Sequence, residues 1–198
     1  MLEQRIQQQF FDSADLQYQI AEGLARPIAD AAQALVGCLT GGGKLLVGGV
    51  GSAAALAQHF CASFAGRFER ERPGLAAMAL AADAVLLGTL AAREGFEHVH
   101  AKQIAALGQS GDVLLLVDTL GQEASLRLAI EAAHARDMSV VLLGGRGTPA
   151  MLDLLRETDV LVAVPHDRQA RVMELQLLVL HCLCDAVDLQ LMGEQDPV

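Results

Sequence analysis

Two glycine-rich loops contain the residues best suited to bind an anionic ligand. Residues 48–52 follow one apolar run and residues 118–123 follow another, and each loop leads into a helical stretch. Free N–H groups at a helix N-terminus attract anions, and the loops of parallel α/β sheets are where ligands bind. Tight strand-to-helix geometry requires the same glycines without any ligand, so the loops alone leave both interpretations open.

Six histidines and four cysteines are present, and these residue types move protons or ligate metals. His59 and His181 each lie on an apolar helical stretch, where a histidine is more often a hydrogen-bonded core residue. Cys182 and Cys184 are two positions apart, so they point to different faces of one helix. No spacing among these residues is typical of a zinc or redox motif, and we expect neither a metal nor a cofactor.

Short apolar runs alternate with helical stretches along most of the chain. Continuous rather than alternating apolarity is typical of strands that are buried on both faces. The runs cover residues 44–50, 75–80, 113–117, 139–143 and 160–164. They predict an α/β fold of three layers, in which helices flank a five-stranded parallel sheet.

Helices are predicted at both ends of this single domain. Apolar residues recur about every four positions over residues 2–20, and a second helix begins near Pro27, which suits a first-turn position. Residues 169–191 form a long helix that is apolar nearly all round. We therefore predict two N-terminal helices within residues 1–43 and a sheet-containing core over residues 44–198.

The composition excludes several classes of function. Apolar residues make up 53% of the sequence and charged residues 19%, which favours a buried interface between subunits. The net charge of −10 opposes direct binding to nucleic acid, because that affinity comes largely from Lys and Arg on phosphates. No apolar run is long enough to span a bilayer and no signal peptide is recognisable, so we expect a cytoplasmic protein with reduced thiols.

Several blocks of sequence resemble the SIS (sugar isomerase) fold. The resemblance covers nearly the whole chain and is to the phosphoheptose isomerase group and its relative, the DnaA initiator-associating protein. The blocks that carry it are residues 49–60, 67–73, 105–114, 170–175 and 181–185, which read GVGSAAALAQHF, RFERERP, AALGQSGDVL, ARVMEL and HCLCD. The resemblance implies the three-layer SIS fold and a homotetramer in which residues 1–43 take part in oligomerisation.

The first loop departs from the phosphoheptose isomerase pattern at a position that the resemblance assigns to the sugar phosphate. Gly49 and Gly51 are kept, but Ala53 stands where the family has its phosphate-binding serine. Ser52, one position earlier, supplies either a hydroxyl contact or, as we expect, a helix N-cap.

The second loop departs further, because a row of serines is replaced. Asp118, Leu120 and Glu123 stand where the family has hydroxyls that cradle the phosphate, while Thr119 is kept. A carboxylate ~5 Å from a phosphate costs roughly 3 kcal/mol per unit charge at an effective dielectric of about 20. With these departures we expect that a sugar phosphate does not bind.

The catalytic positions depart as well. An aldose–ketose isomerase moves a proton between adjacent carbons, and the resemblance implies a Glu and a His for this step. In some members a metal is held by His, Glu, Gln and His. The Glu falls on Ser63 and the Gln on Met173, whereas the two histidines are His59 and His181. No catalytic set is intact, since Ser63 and His181 are remnant positions, and we expect the protein not to be an enzyme.

The resemblance and these departures lead to one main expectation and two others. The main one is a non-catalytic homotetramer that binds a protein, the replication initiator DnaA, with Leu191 and Met192 as candidate contacts. The second is a phosphoheptose isomerase that uses His181 as base and Ser52 as phosphate contact. The third is a regulator that binds a small molecule, neutral or cationic, beside Asp118 and Glu123.

Overall fold

The computed structural model of the protein describes residues 1–80, 82–119, 124–146 and 148–194. Helices and strands follow one another in the order α1 Leu2–Thr40, β1 Leu45–Gly49, α2 Ser52–Ala65, β2 Ala77–Ala79, α3 Ala84–Glu94, α4 Val99–Leu107, β3 Val113–Val117, α5 Ala124–His134, β4 Ser139–Gly144, β5 Val160–Ala163 and α6 Gln169–Met192. Short 3-10 helices lie at Phe96–His98, before α4, and at Thr148–Leu154, after β4.

The five strands form one parallel sheet in the order β2-β1-β3-β4-β5. Every residue of β1 and β3 is buried, as expected for strands with helices on both faces. One face of the sheet packs against α1, α2 and α6, and the other packs against α4 and α5. The predicted fold class, a five-stranded parallel sheet between helical layers, is confirmed.

The two helices expected at the N-terminus are one continuous helix, α1, with Pro27 inside it. Proline lacks an N–H and its ring crowds the carbonyl four residues earlier, which here belongs to Gly23. Gly23 is exposed, so water can bind the freed carbonyl, and most neighbouring residues favour helix. The buried residues of α1, such as Ala32 and Leu35, lie in its C-terminal third. The expected break near Pro27 was therefore wrong.

Two other elements differ from their predicted bounds. β2 covers Ala77–Ala79 rather than residues 75–80, because it is an edge strand paired with β1 on one side. The helix expected over residues 149–156 is the 3-10 segment Thr148–Leu154. Among the described helices, none combines the length and the apolar character needed to cross a membrane.

A buried ion pair joins the end of α2 to α6. Arg72 Nε donates to Asp188 Oδ1 at 2.6 Å, and the two side chains are 1% and 4% exposed. The same guanidinium donates to the carbonyls of Phe64 at 2.9 Å and Ser63 at 3.1 Å, at the C-terminal end of α2. Together these contacts of Arg72 fix how α2 packs against α6, and these two helices carry His59 and His181.

Candidate active site

The first loop turns tightly from β1 into α2. A Cβ atom on Gly49 would lie 2.7 Å from the carbonyl carbon of Ala53, so this approach requires glycine. Gly51 has a φ of 59°, in the left-handed region that favours glycine. The N–H groups of Ala53 and Ala54 donate to the carbonyls of Val50 and Gly51, each at 3.2 Å. The loop geometry thus depends on both glycines.

Ser52 is the first residue of α2, and Gly51 occupies the N-cap position. The N-cap role expected for Ser52 was therefore wrong. Ser52 is exposed at a helix N-terminus, where the first N–H groups have no acceptor within the helix. Ala53 is 3% exposed and packs in the core. What the loop presents to an anion is the Ser52 hydroxyl at the positive N-terminal end of α2.

The second loop begins in a buried polar network. Asp118 is 1% exposed, and the hydroxyl of Thr148 donates to its Oδ2 at 3.4 Å. Gln176 on α6 donates to the carbonyls of Asp118 at 2.9 Å and Leu143 at 3.2 Å, while Thr119 donates to Gln176 Oε1 at 3.3 Å. Gln176 therefore fixes the ends of β3 and β4 against α6.

Sequence reasoning did not single out Thr148 or Gln176. Gln176 carries a recognisable signal, because it is a polar residue within a helix predicted to be buried on most sides. A glutamine in such a place must find hydrogen-bond partners. Thr148 carries no comparable signal, since a threonine shortly after a strand is ordinary in a loop.

A small cavity lies between the described parts of the two loops. Its volume is 20 Å³, enough for about one water molecule, and its lining includes Val50, Ala53 and Thr119. Leu120 and Glu123, which the sequence also assigned to this pocket, lie outside the described residues. Residues of the first loop, Asp118 and Thr119 thus line the same cavity.

His59 on α2 and His181 on α6 form a pair. Their Nε2 atoms lie 3.0 Å apart, within hydrogen-bond distance. The rings make a T-shaped contact with centroids 5.3 Å apart, and Phe68 packs against the His181 ring at 5.5 Å. His59 is exposed and His181 is half-buried, so interpreting them as separate core residues was wrong. When one Nε2–H donates to the other, bare Nε2, the donating ring keeps a bare Nδ1 and the accepting ring keeps an Nδ1–H.

Ser63 and Met173, which stand where the family has its Glu and Gln, lie at different distances from the histidine pair. Ser63 is one helical turn beyond His59 on α2, so it is on the same face of the helix. Met173 precedes His181 by eight residues on α6, which separates them by about 12 Å along the helix axis. Within one chain, Met173 is therefore not part of the histidine cluster.

The residues present do not fit the metal that the resemblance implies for some family members. Protein zinc sites use at least three protein ligands, and here His59 and His181 supply two imidazole nitrogens. Ser63 replaces the carboxylate, and Met173 lies two helical turns away. Within the described ranges, no group of three His, Cys, Asp or Glu side chains converges. The chemistry of the site is therefore derived from the histidines themselves.

Two cysteines on the same helices are not nucleophiles near neutral pH. Burial raises the pKa of Cys61 to about 12. Burial, with the nearby Asp188 carboxylate as a second cause, raises the pKa of Cys184 to about 12 as well. The thiolate is the reactive form of cysteine, so both side chains act as small apolar residues.

Leu191 and Met192, the candidate contacts for a protein partner, lie at the end of α6. Leu191 is partly buried and packs against the core between the sheet, α1 and α2. Met192 is 38% exposed. Leu191 thus serves helix packing, and Met192 alone presents an apolar surface.

Residues 9–145 match the family model described as the SIS domain. The chain is 56% identical over 196 residues to the phosphoheptose isomerase of Methylibium petroleiphilum, covering 99% of this chain and 98% of that protein. It is 46% identical over 192 residues to the phosphoheptose isomerase of an Azoarcus species, covering 97% and 98%. Among solved structures, it matches the phosphoheptose isomerase from Neisseria gonorrhoeae with a TM-score of 0.89, at 39% identity and covering 95% and 99% of the two chains. The corresponding structure from Francisella tularensis gives a TM-score of 0.90, at 39% identity and covering 95% and 98%.

These relatives overturn the expected function. The expectations of a non-catalytic regulator of the initiator DnaA, and of a protein that is not an enzyme, are wrong, because relatives at 42–56% identity over nearly the whole chain are phosphoheptose isomerases. The error lay in treating Ser63 as decisive. A histidine pair at this distance keeps one bare Nδ1 and one Nδ1–H, the types of group that acid–base chemistry uses. The chain belongs to the SIS-domain family, in its phosphoheptose isomerase group.

Proposed function

We propose that this protein is a phosphoheptose isomerase that interconverts sedoheptulose 7-phosphate and the corresponding aldose 7-phosphate. The observation that carries the proposal is the 3.0 Å contact between the Nε2 atoms of His59 and His181. The 56% identity to a phosphoheptose isomerase over 99% of the chain supports it.

The reaction moves a hydrogen between two neighbouring carbons. A base removes a proton from C1 of the ketose while an acid protonates the carbonyl oxygen on C2, which gives an enediol. Return of a proton to C2 and loss of the O1 proton then give the aldose. When His181 Nε2–H donates to His59 Nε2, His181 keeps a bare Nδ1 and acts as the base, while His59 keeps an Nδ1–H and acts as the acid.

Helix α2 provides contacts for both ends of such a substrate. Ser52, at the N-terminus of α2, binds the phosphate through its hydroxyl and its backbone N–H, since helix N-termini favour anions. His59 lies seven residues further along, about 10 Å down the axis and on nearly the same face. An extended seven-carbon chain spans a comparable distance. The buried Asp118 carboxylate repels an anion, so the phosphate is placed at the N-terminus of α2 rather than at the second loop. This assignment replaces the expectation that no sugar phosphate binds.

Incubation of the purified protein with sedoheptulose 7-phosphate in D2O tests the proposal. We expect the aldose 7-phosphate to accumulate and deuterium to enter at its C2, both followed by proton NMR. His181→Ala should abolish both signals. His98→Ala, at a half-buried histidine outside the pair, should leave them unchanged. No aldose above an enzyme-free blank after prolonged incubation would overturn the proposal.

We also propose that the protein works as a homotetramer in the cytoplasm, with residues 1–43 in the subunit contacts. Ile6, Phe10 and Phe11 on α1 are 50%, 72% and 60% exposed, and an apolar groove of 380 Å³ runs between α1 and α6. Exposed apolar surface of this kind favours burial between subunits. The four free thiols support a reducing compartment.

Sedimentation velocity tests the proposed assembly. The wild-type protein should sediment as a tetramer, and Phe10→Asp combined with Phe11→Asp should yield smaller species. The matched control is Val85→Asp combined with Leu86→Asp, which adds the same charge at an exposed apolar pair on α3, outside residues 1–43. A wild-type protein that sediments as a monomer across the accessible concentrations would contradict the assembly.

A further inference from the structure

His100 is a buried imidazole without a hydrogen-bond partner among the described residues. It lies on α4, is 1% exposed, and neither Nδ1 nor Nε2 meets a donor or an acceptor. Leaving a buried polar group unpaired costs free energy, and an aromatic or aliphatic side chain would avoid that cost. A histidine at this position is therefore expected to have a hydrogen-bond partner, and a shift of the first loop, between β1 and α2, can provide one.

Gly48, at the end of β1, makes the room that the His100 ring occupies. A Cβ atom on Gly48 would lie 3.1 Å from Cδ2 and 3.6 Å from Nε2 of His100, and 3.0 Å from Cδ2 of Leu116. Gly48 is not among the glycines with positive φ, so space rather than backbone conformation explains it. The His100 ring thus packs directly against β1, the strand that leads into the first loop.

The carbonyl of Gly49, the residue after Gly48, acts on the ring. Burial lowers the pKa of His100, and the Gly49 carbonyl opposes that shift by favouring the protonated ring. The ring is therefore neutral near neutral pH and keeps one N–H to donate. Gly49 also lies close to the backbone of Ala53, in the first turn of α2.

We propose that His100 is a positioning residue for the first loop: when this loop binds a sugar phosphate, the imidazole N–H of His100 donates a hydrogen bond to the carbonyl oxygen of Gly49. That bond holds the β1–α2 turn in the conformation that directs Ser52 and the N-terminus of α2 at the phosphate. The inference rests on the proposed function, since it takes the first loop as the phosphate site. His100 acts through the backbone and touches no substrate atom.

Calorimetric titration with sedoheptulose 7-phosphate tests this role in three variants. His100→Phe fills the site without an N–H and should weaken binding about threefold to tenfold, the effect of one hydrogen bond between neutral groups. His100→Gln keeps an N–H donor and should restore most of the affinity. His98→Phe, two residues earlier and half-buried, is the matched control and should bind as the wild type does.

A core-filling role for His100 predicts a different pattern. In that case His100→Phe lowers the melting temperature by several degrees, His100→Gln fails to rescue binding, and the positioning role is overturned. The positioning role predicts an unchanged or higher melting temperature for His100→Phe, because an unpaired polar group has been removed. Unchanged affinity in His100→Phe also overturns it.

Imidazole NMR of the wild-type protein gives a measurement that does not depend on a variant that folds. Addition of sedoheptulose 7-phosphate should slow the solvent exchange of one His100 N–H, as a new hydrogen bond requires. No change in that exchange at saturating ligand, or no binding of the ligand at all, overturns the inference. Binding without turnover overturns the proposed isomerase activity and leaves the positioning role standing.

Discussion

Nε2 of His59 lies 3.0 Å from Nε2 of His181, although 122 residues of chain separate the two histidines. Neither helix alone fixes this contact, because it depends on how α2 packs against α6. The Arg72–Asp188 ion pair sets that packing at the end of α2. The proposed catalytic pair is therefore a product of tertiary structure.

Alanine at either histidine should lower kcat for sedoheptulose 7-phosphate by about 10²–10⁴-fold, the usual contribution of acid–base catalysis. Because the two rings share one proton, His59→Ala combined with His181→Ala should lose little more than either single variant. Steady-state kinetics measures all three, with His98→Ala as the control. Losses that multiply in the double variant would show that the two histidines act independently.

Arg72→Met should destabilise the fold strongly, because it leaves Asp188 as a buried charge without its partner. We expect a loss of about 3–5 kcal/mol in the free energy of unfolding, measured by urea denaturation. The matched control is Arg146→Met, since Arg146 pairs with Asp167 at side-chain exposures of 66% and 71%. That change should cost about 0–1 kcal/mol. Equal losses in the two variants would contradict a structural role for the buried pair.

Most of the strand positions can be predicted from the sequence for a simple physical reason. Strands such as Val113–Val117 are buried on both faces, so their residues are apolar without alternation and stand out from the helices. The continuity of α1 cannot be predicted in the same way. Gly23 and Pro27 together are typical of a helix end. The structure is needed to show that the Gly23 carbonyl, which Pro27 leaves without its donor, is exposed to water, so that the helix can continue.

The site is less predictable than the fold, because its residues meet through tertiary packing. His59 and His181 each lie on an apolar helix, and nothing in the local sequence of either one indicates that their rings meet. The polar partners of the second loop, Thr148 and Gln176, come from other parts of the chain. Local patterns can identify the loops, whereas the hydrogen bonds that hold them require the packed structure.

Gln176→Leu should destabilise the protein by about 1–3 kcal/mol, because it removes the Gln176 donor from the buried carbonyl of Asp118 and one of the two donors to the carbonyl of Leu143, which keeps the N–H of Asp118. Leucine has a similar volume, so the loss reports the hydrogen bonds rather than a cavity. Gln190→Leu on the exposed side of α6 is the matched control and should change stability little. Urea denaturation measures both. A Gln176→Leu protein as stable as the wild type would show that the network contributes nothing.

Two buried thiols should make stability fall at alkaline pH. Burial raises the pKa of Cys61 and Cys184 from an ordinary value of 9.0 to about 12. Between these values the unfolded chain has lost thiol protons that the folded protein keeps, so the unfolded state binds fewer protons and stability falls as pH rises.

The pH dependence can be assigned to these thiols by substitution. Each thiol contributes up to about 1.4 kcal/mol per pH unit above pH 9, and neither contributes below about pH 8. Urea denaturation from pH 7 to 10.5 measures the slope. Cys61→Ala should flatten it, whereas Cys182→Ala, at an exposed thiol on α6, should change it less. The same slope in both variants would rule out Cys61 as a source.

The glycines of the first loop should tolerate alanine to different degrees, because each is required for a different reason. Gly49→Ala places a Cβ atom 2.7 Å from the backbone of Ala53, which cannot move without shifting α2. We expect a loss of about 1–3 kcal/mol in stability, as in overpacked cores, together with a fall in isomerase activity. Gly51→Ala meets no neighbouring atom but must adopt a φ near 59°, which costs about 1–2 kcal/mol.

Gly48→Ala completes this series as a test of packing beside His100. Its Cβ atom would lie 3.0 Å from a methyl carbon of Leu116 and 3.1 Å from the His100 ring, and both are side chains that can shift slightly. The stability loss should therefore be smaller than that of Gly49→Ala, which presses on backbone. Thermal denaturation ranks the three variants, and kinetics with sedoheptulose 7-phosphate shows which of them disturb the site. If Gly48→Ala proves the most damaging of the three, the β1–α2 turn is held by the α4 side of the sheet more tightly than by α2.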